Sequence, residues 1–233
     1  MSENDDRLLE EQRLFYRARA PEYDEWWQRR GRYQRGEDAE VEWHRQVAII
    51  ESALAAFQAT GNVLEMAGGT GWWTQRLERT AGHLTVVDAS AETLALNGAR
   101  AVRNDITYEV ADLFEWRPSR SYDVVFFSFW LSHIPRTRFG DFWSLVRSCL
   151  APGGRAFLID NREDPTPQSK VRDPYVVEYG PDVQLRQLND GSRYRVVKVM
   201  YEPNELQSLL EEEGWQARIE ATRWFIYGSV RPS

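Results

Sequence analysis

A glycine-rich turn between two apolar runs constrains the fold of this chain more than any other sequence feature. The first run, residues 63–66, leads into the turn at residues 67–71, and the second run ends at Asp88. An amphipathic segment separates them, so the order predicts a strand, a tight turn, a helix and a second strand. Gly69 and Gly71 allow the backbone to turn sharply and to approach a ligand closely, because no Cβ intervenes.

Asp88 stands at the carboxyl end of the second predicted strand. It follows the turn by about twenty residues, the spacing expected of a nucleoside-binding βαβ unit. A carboxylate in this place can accept hydrogen bonds from both hydroxyls of a ribose. The sequence therefore predicts a nucleoside site at the ends of these two strands.

The turn differs from the usual dinucleotide fingerprint. Glu65 precedes it, giving Glu-x-Ala-x-Gly-x-Gly, and residues 86–90 read Val-Val-Asp-Ala-Ser. Together they resemble motif I and the following acidic motif of the class I S-adenosylmethionine-dependent methyltransferases. Ala67 stands where the first glycine is usual, a departure that many members share. The resemblance implies S-adenosyl-L-methionine as cofactor, with the two glycines of the turn under its methionine part and the acid at its ribose.

The resemblance also implies cofactor contacts elsewhere in the chain. In the family, an acid after the third strand bonds the exocyclic amine of adenine, and Asp112 follows the predicted strand 107–110. The family's N-terminal Tyr-Asp region folds over the bound cofactor, and Tyr23 begins that pair here. The remaining cofactor-binding residues that the resemblance implies are Glu65, Ala67, Gly69, Gly71, Asp88, Ala89, Leu113, Ser128 and Phe129.

Hydrophobic periodicity extends the prediction along the chain. Helices are predicted at 5–19, 39–58, 72–80, 91–102, 138–150 and 203–213, and further strands at 107–110, 122–127, 155–160, 215–219 and 224–230. With the resemblance, the expected fold is α/β: a doubly wound, Rossmann-like, seven-stranded sheet with helices on both faces and an antiparallel last strand. Residues 183–188 and 193–199 alternate around Asn-Asp-Gly, which predicts an inserted β-hairpin.

The expected domain organisation has two parts. Residues 1–38 form an N-terminal helical lid, and residues 39–233 form the methyltransferase domain, with an insertion at 161–200. Within that insertion, 161–181 is rich in proline and charge and holds no period, so a loop is expected there. The lid and the insertion are expected to define the substrate.

Composition limits the possible partners. The formal net charge is −7, which disfavours nucleic acid, because its phosphates require clustered Lys and Arg. A single cysteine, Cys149, excludes an internal disulfide and a cysteine metal cluster. No apolar run reaches membrane-spanning length, and the first residues lack the features of a signal peptide. A soluble, cytoplasmic protein is expected, as a monomer or a homodimer.

Two residues near strand ends are candidate catalytic groups. His133 follows the fourth predicted strand and is the first candidate for a general base; capping of the next helix, or packing beside the cofactor, is the alternative. Asp160 ends the fifth predicted strand and is the second candidate, although it could instead hold a substrate amine or pair with Arg162. No metal is expected, because the acid after the fourth strand that catechol-type magnesium enzymes supply is missing here.

Aromatic residues point to the acceptor. They make up 13% of the chain, including ten Trp, which is more than a core of this size requires. A pocket roofed by residues 15–33 and 161–201 is expected to take a small, partly aromatic molecule and methylate its O or N. A protein methyltransferase, and a protein that uses the cofactor structurally without transfer, stay open. The predicted substrate-binding residues are Trp26, Trp27, Tyr33, Trp130, Asn161 and Arg162.

Overall fold

A mixed seven-stranded sheet organises the fold in the computed structural model, which describes residues 3–164, 175–180 and 182–233. The strands of this sheet are β1 Asn62–Met66, β2 His83–Asp88, β3 Thr107–Val110, β4 Tyr122–Ser128, β5 Leu150–Asn161, β9 Trp215–Ala221 and β10 Phe225–Pro232. The helices are α1 Glu3–Arg19, α2 Asp24–Trp27, α3 Glu37–Phe57, α4 Thr74–Leu77, α5 Ala91–Arg100, α6 Phe139–Cys149 and α7 Pro203–Glu212.

The strand order is β3-β2-β1-β4-β5-β10-β9. Strands β3, β2, β1, β4 and β5 pair in parallel, whereas β10 pairs antiparallel with both β5 and β9. This confirms the expected Rossmann-like sheet with its antiparallel last strand. The order reverses between β1 and β4, and in open α/β sheets ligands bind at the carboxyl ends of the strands at such a point.

Two apolar cores cover the two faces of the sheet, because successive strand residues point to opposite faces. On β4, Val125 and Phe127 pack with residues of α6 and α7, while Val124 and Phe126 pack with residues of α3, α4 and α5. All four of these side chains are buried. The near-continuous apolar sequence of β4 is thus explained by helices on both faces.

A second, three-stranded antiparallel sheet lies in the predicted insertion. It contains β6 Val176–Glu178, β7 Val183–Gln187 and β8 Arg193–Val197, in that order. Strands β7 and β8 confirm the predicted hairpin. Strand β6 falls in the segment for which a loop was expected, and residues 165–174 and 181 of that segment lie outside the described residues. Helix α1 packs on this sheet, where Phe15 meets Leu188 and Val196.

Two elements differ from their predicted lengths. Helix α4 covers only Thr74–Leu77 instead of 72–80, because the backbone beyond it tightens into turns, in which Arg79 N–H bonds to Arg76 and Thr80 N–H to Leu77. Strand β5 begins at Leu150 instead of 155, through an irregular pairing with β4. Among the described residues, no helix has the length and apolar character that crossing a membrane requires.

Candidate active site

Two adjoining cavities open where β1, β2 and β4 end. We call the first the glycine-loop cavity; it lies against the turn after β1 and beneath α1. Most of the predicted cofactor-binding residues line it. They are Tyr23, Ala67, Gly69, Asp88, Ala89, Asp112, Leu113, Ser128 and Phe129.

The turn after β1 is fixed by Asp88. Its Oδ2 accepts the Gly69 N–H at 2.9 Å, and its Oδ1 accepts the Ser90 N–H at 2.9 Å. Burial raises the pKa of Asp88, and the Ser90 and Gly69 hydrogen bonds oppose that shift. Gly69 has a φ of +52°, and a Cβ there would meet nothing within 4 Å. The loop therefore leaves a cradle beside a carboxylate, which fits a bound nucleoside with an amino acid arm.

Two predicted cofactor-binding residues do not line the cavity. Glu65 is 1% exposed and accepts the Thr74 hydroxyl at 2.5 Å. Burial raises its pKa to about 8, and the Thr74 hydrogen bond opposes this. Gly71 has a φ of +91°, and a Cβ there would lie 2.8 Å from the Asn97 side chain. Glu65 therefore ties β1 to α4, and Gly71 allows the loop to pack closely against α5.

Helix α1 closes the far end of the glycine-loop cavity through an ion pair. Arg13 of α1 donates to Oδ2 of Asp112, while Oδ1 of Asp112 accepts the Phe114 N–H at 3.0 Å. Asp112, for which a contact with adenine is predicted, therefore lies at the cavity wall, held by the helix that covers the cavity.

The second cavity is lined by basic side chains, and we call it the cation cavity. Arg19 of α1, Arg186 of β7 and Lys198, which directly follows β8, all line it. Arg19 and Lys198 are each 7% exposed. These residues come from segments far apart in the chain, and they meet because α1 packs on the second sheet.

Two of these cations have only neutral hydrogen-bond partners within the described ranges. Arg19 donates to the Tyr33 hydroxyl at 3.3 Å, and its buried Nε has no partner there. Arg186 donates to the amide oxygen of Gln184 at 3.0 Å. Burial lowers the pKa of Arg186, and the Arg19 charge lowers it further. Buried charges are costly unless paired, so this arrangement fits a cavity that receives an anion.

Lys198 is the third cation, and a buried carboxylate lies close to it. Its Nζ donates to the Ser132 hydroxyl at 2.7 Å and lies 3.8 Å from Oδ1 of Asp160. Burial lowers the pKa of Lys198 to about 7, while Asp160 opposes that shift. Near neutral pH, the charge of Lys198 therefore depends on what else occupies the cavity.

Asp160 is 1% exposed, and its carboxylate is held by backbone groups. Oδ2 accepts the Ser132 N–H at 2.8 Å and Oδ1 accepts the Asn161 N–H at 2.7 Å. Asp160 lines neither cavity. The alternative pairing with Arg162 does not occur, since Arg162 pairs with Glu202. Asp160 thus anchors the turn after β4 and faces Lys198.

Four residues line both cavities and mark their junction: Tyr16, Tyr23, Phe129 and His133. His133 is 3% exposed at the end of the short 3-10 helix Leu131–His133. Its Nδ1 lies 2.7 Å from the Val197 carbonyl and its Nε2 lies 2.6 Å from the Tyr16 hydroxyl. Both ring nitrogens therefore have a hydrogen-bond partner, and the Tyr16 hydroxyl lies next to the imidazole that was predicted as a general base.

Charge and burial keep His133 neutral. Burial lowers its pKa well below the usual range, and the charges of Lys198 and Arg186 lower it further. A carbonyl oxygen only accepts, so Nδ1 carries the proton and the lone pair is on Nε2. The Tyr16 hydroxyl therefore donates to Nε2.

The predicted substrate-binding residues divide among three places. Trp26, Tyr33, Asn161 and Arg162 line the cation cavity, whereas Trp130 lines the glycine-loop cavity. Trp27 lines neither, because it is buried and stacks on Trp72 with ring centroids 4.9 Å apart.

Of the basic side chains that line the cation cavity, Arg162 was predicted from the sequence, whereas Arg19, Arg186 and Lys198 were not. A signal was present for Arg19, which lies three residues after Tyr16 on the same face of a helix. Arg186 is a basic residue within an alternating strand, one residue from the apolar Leu185. Neither pattern indicates that the two residues meet, because their approach depends on how α1 packs on the second sheet.

Comparison with known proteins agrees with this geometry. A sequence profile described as "Methyltransferase domain" matches residues 63–154. The chain is similar to DhpI in its complex with SAH, at 35% identity over 97% of each chain and a TM-score of 0.76. It is also similar to DhpI in its complex with SAM and HEP, at 34% identity over 97% of this chain and 98% of that one, with a TM-score of 0.79.

A more distant likeness concerns the fold alone. An S-adenosylmethionine-dependent methyltransferase from Mesorhizobium loti matches at 19% identity, over 77% of this chain and 96% of that one, with a TM-score of 0.56. A search of curated proteins finds no match.

Proposed function

Because this chain belongs to the S-adenosylmethionine-dependent methyltransferases, with S-adenosylmethionine as its cofactor, we propose that it methylates an oxygen of a small oxyacid. The acceptor is a molecule with a carboxylate, phosphate-monoester or phosphonate group. It occupies the cation cavity, and the cofactor occupies the glycine-loop cavity.

The observation that carries this proposal is the basic lining of the second cavity. Arg19, Arg186 and Lys198 line it, and the Asp160 carboxylate lies 3.8 Å from Lys198. An oxyanion bound there would offset the cost of burying these charges and would accept hydrogen bonds from guanidinium groups in a fork geometry.

The same charges favour oxygen over nitrogen as the methyl acceptor. An amine is mostly an ammonium ion near neutral pH, and three neighbouring cations would repel it. An oxyacid, by contrast, brings negative charge to the place where that charge is stabilised.

Bound S-adenosylmethionine supplies a methyl group on a positively charged sulfur. The chain's own contribution is alignment and exclusion of water. Asp88 and the loop at Gly69 hold one reactant, the basic side chains hold the other, and Tyr16, Tyr23, Phe129 and His133 lie where the two cavities join. Methyl transfer is proposed to occur at this junction.

One similar structure bears on the acceptor. DhpI has been solved with SAM and a second ligand, HEP, in one complex. That observation supports a small-molecule acceptor for this chain. The expectation of an aromatic part in the acceptor stays a prediction, supported by Trp26, Tyr33 and Tyr175 in the lining of the cation cavity.

The proposal is tested by incubating the protein with S-adenosylmethionine and matched panels of small molecules. One panel holds carboxylates, phosphate monoesters and alkylphosphonates, and the other holds amines of similar size. Formation of S-adenosylhomocysteine and of a methyl ester, followed by mass spectrometry, is expected with the oxyacids. Methylation of amines or of a protein in preference to every oxyacid would overturn the proposal.

A further inference from the structure

The pairing of Tyr16 with His133 has a consequence for proton transfer at the junction of the two cavities. Tyr16 lines both cavities, and its hydroxyl lies 2.6 Å from Nε2 of His133. Since this hydroxyl donates to Nε2, the lone pairs of its oxygen are left for a bound molecule. An acceptor hydroxyl that reaches Tyr16 therefore meets a hydrogen-bond acceptor backed by a neutral imidazole.

We propose that Tyr16 is a catalytic residue, which takes the proton of the acceptor hydroxyl while it passes its own proton to Nε2 of His133. This inference rests on the proposed function, because it concerns an oxyacid that still carries one proton on the oxygen to be methylated. His133 acts through Tyr16 and does not itself reach the acceptor.

The step balances. The acceptor O–H bond breaks and a new O–H bond forms on Tyr16, while the original Tyr16 O–H bond breaks and an N–H bond forms on Nε2. The electron pair left on the acceptor oxygen forms the bond to the methyl carbon, and the methyl–sulfur pair stays on sulfur as a neutral thioether. His133 becomes an imidazolium and later returns its proton to solvent.

The surrounding structure holds this pair in place. Gln12 of α1 donates to the His133 carbonyl at 3.0 Å and accepts the Val197 N–H at 3.0 Å, so it ties the histidine turn to β8. The bond from Nδ1 to Val197 then fixes the tautomer and ring orientation of His133. The ring of Tyr16 packs edge-on against both Phe15 and His133.

We call this proton transfer from the acceptor through Tyr16 to His133 the relay. The charges around it explain why it would depend on the acceptor. Burial raises the pKa of Tyr16, so Tyr16 keeps its proton and cannot serve as a free phenolate base. In the empty cavity, nearby cations oppose a positive charge on His133, whereas a bound oxyanion would offset them. The charged and titratable groups that face the pair are Arg19, Tyr33, Asp160, Arg186 and Lys198.

The first experiment reads the protonation of His133 without turnover. The protein has three histidines, so ¹⁵N NMR of the imidazoles gives few signals, and a His133→Asn sample assigns the one of interest. Methylphosphonate is added to the protein saturated with S-adenosylhomocysteine at about pH 6, and the lowered pKa of His133 favours the neutral ring before the addition. His133 is expected to become an imidazolium in the wild type and to stay neutral in Tyr16→Phe.

The second experiment compares turnover. With the oxyacid that the wild type methylates best, Tyr16→Phe is expected to lower kcat about a hundredfold at low pH, and less as pH rises and the acceptor ionises in solution. A thermal unfolding transition like that of the wild type should show that the variant folds. Tyr194→Phe is the control, because Tyr194 lies on β8 beside Phe15 and lines neither cavity.

The outcomes separate the relay from the proposed function. A neutral His133 in the wild type saturated with methylphosphonate, or equal turnover of Tyr16→Phe and wild type at every pH, overturns the relay. In the second case oxyacid methylation itself stands. If His133 is protonated through Tyr16 but no oxyacid is methylated, the proposed function fails and the relay stands as a property of the anion site.

Discussion

The glycine-loop cavity and the cation cavity are built in different ways. The first is centred on the backbone of one βαβ unit, in which Asp88 accepts backbone N–H groups from Gly69 and Ser90, and α1 covers it. The second is shaped by side chains from α1, β7 and the end of β8. A backbone site tied to the sheet suits a fixed cofactor, whereas side chains on packed elements allow the acceptor to change between relatives while the cofactor stays the same.

The difference between the cavities also concerns charge. In the first, a buried carboxylate is satisfied by the protein itself. In the second, two guanidinium groups donate hydrogen bonds to neutral partners within the described residues. An anion that binds there would therefore offset positive charge that these partners leave uncompensated. Variants that remove one charge from each cavity should therefore affect different ligands.

The largest expected effect is on the acceptor. Arg186→Gln should raise the KM of the oxyacid about a hundredfold or more, because truncating one partner of a buried charge pair costs about 2–5 kcal/mol. The dissociation constant of S-adenosylhomocysteine should barely change. The matched control is Arg193→Gln, an exposed arginine on the same sheet. Equal effects of the two variants on KM would contradict a cation cavity built for an anion.

The converse variant is Asp88→Ala. It should weaken binding of S-adenosylhomocysteine about tenfold to a hundredfold, because a hydrogen bond to a charged group contributes about 1.5–3 kcal/mol. Sulfate binding in the cation cavity should be unaffected. Calorimetry measures both constants, with the exposed Asp105→Ala as control. Tight binding of NAD by the wild type would contradict the assignment of the cofactor.

A smaller effect is expected from pH. An anion binds the protonated form of Lys198 better and raises its pKa, which is about 7 in the empty cavity. Sulfate affinity should therefore be highest below that value and fall about fivefold between roughly pH 7 and pH 8. Sulfate itself stays fully ionised, and the lowered pKa of His133 keeps that ring neutral over this range. The groups facing Lys198 are Arg19, Ser132, His133, Asp160 and Arg186.

Lys198→Met provides the check on this pH dependence. The variant should bind sulfate more weakly at neutral pH, and its affinity should no longer vary between roughly pH 7 and pH 8. If the slope persists in Lys198→Met, another group titrates in the cavity.

The two cavities also differ in how far the sequence predicts them. Spacing and resemblance located the glycine loop, Asp88 and Asp112, because these residues act within one βαβ unit and its neighbouring strand. Arg19 and Arg186 are 167 residues apart in the sequence (186 − 19), and no local pattern brings them together. Strand β6 was missed for a similar reason, since its three residues pair with β7 and have no period of their own.

His133 was predicted from its position after the fourth strand as a candidate general base, and that role stays a prediction. The structure places it at the junction of the two cavities. The hydrogen bonds of its two nitrogens depend on β8 and α1, which follow or precede it by dozens of residues. The sequence therefore indicated where the imidazole lies, but Tyr16 was identified only as part of the pocket's aromatic roof.

The smallest expected effect concerns residues 1–38 as a lid. Asp24 accepts the Thr70 hydroxyl at 2.7 Å and Arg13 pairs with Asp112, so the segment contacts the glycine-loop cavity at two points. Arg19 and Tyr33 of the same segment line the cation cavity. Ligands in either cavity should therefore reduce local opening of this segment.

Trypsin tests this lid directly. Arg30 and Arg35 are exposed and lie beside Gly31 and Gly36, both of which have positive φ angles, while Arg120 is an exposed site away from both cavities. S-adenosylhomocysteine with sulfate should slow cleavage after Arg30 and Arg35 about threefold or more, by stabilising the closed form. Cleavage after Arg120 should keep its rate. If the ligands change none of the three cleavage rates, residues 1–38 are a fixed part of both cavities. The part of the acceptor site that differs from the backbone-built cofactor site would then consist of β7 and β8 alone.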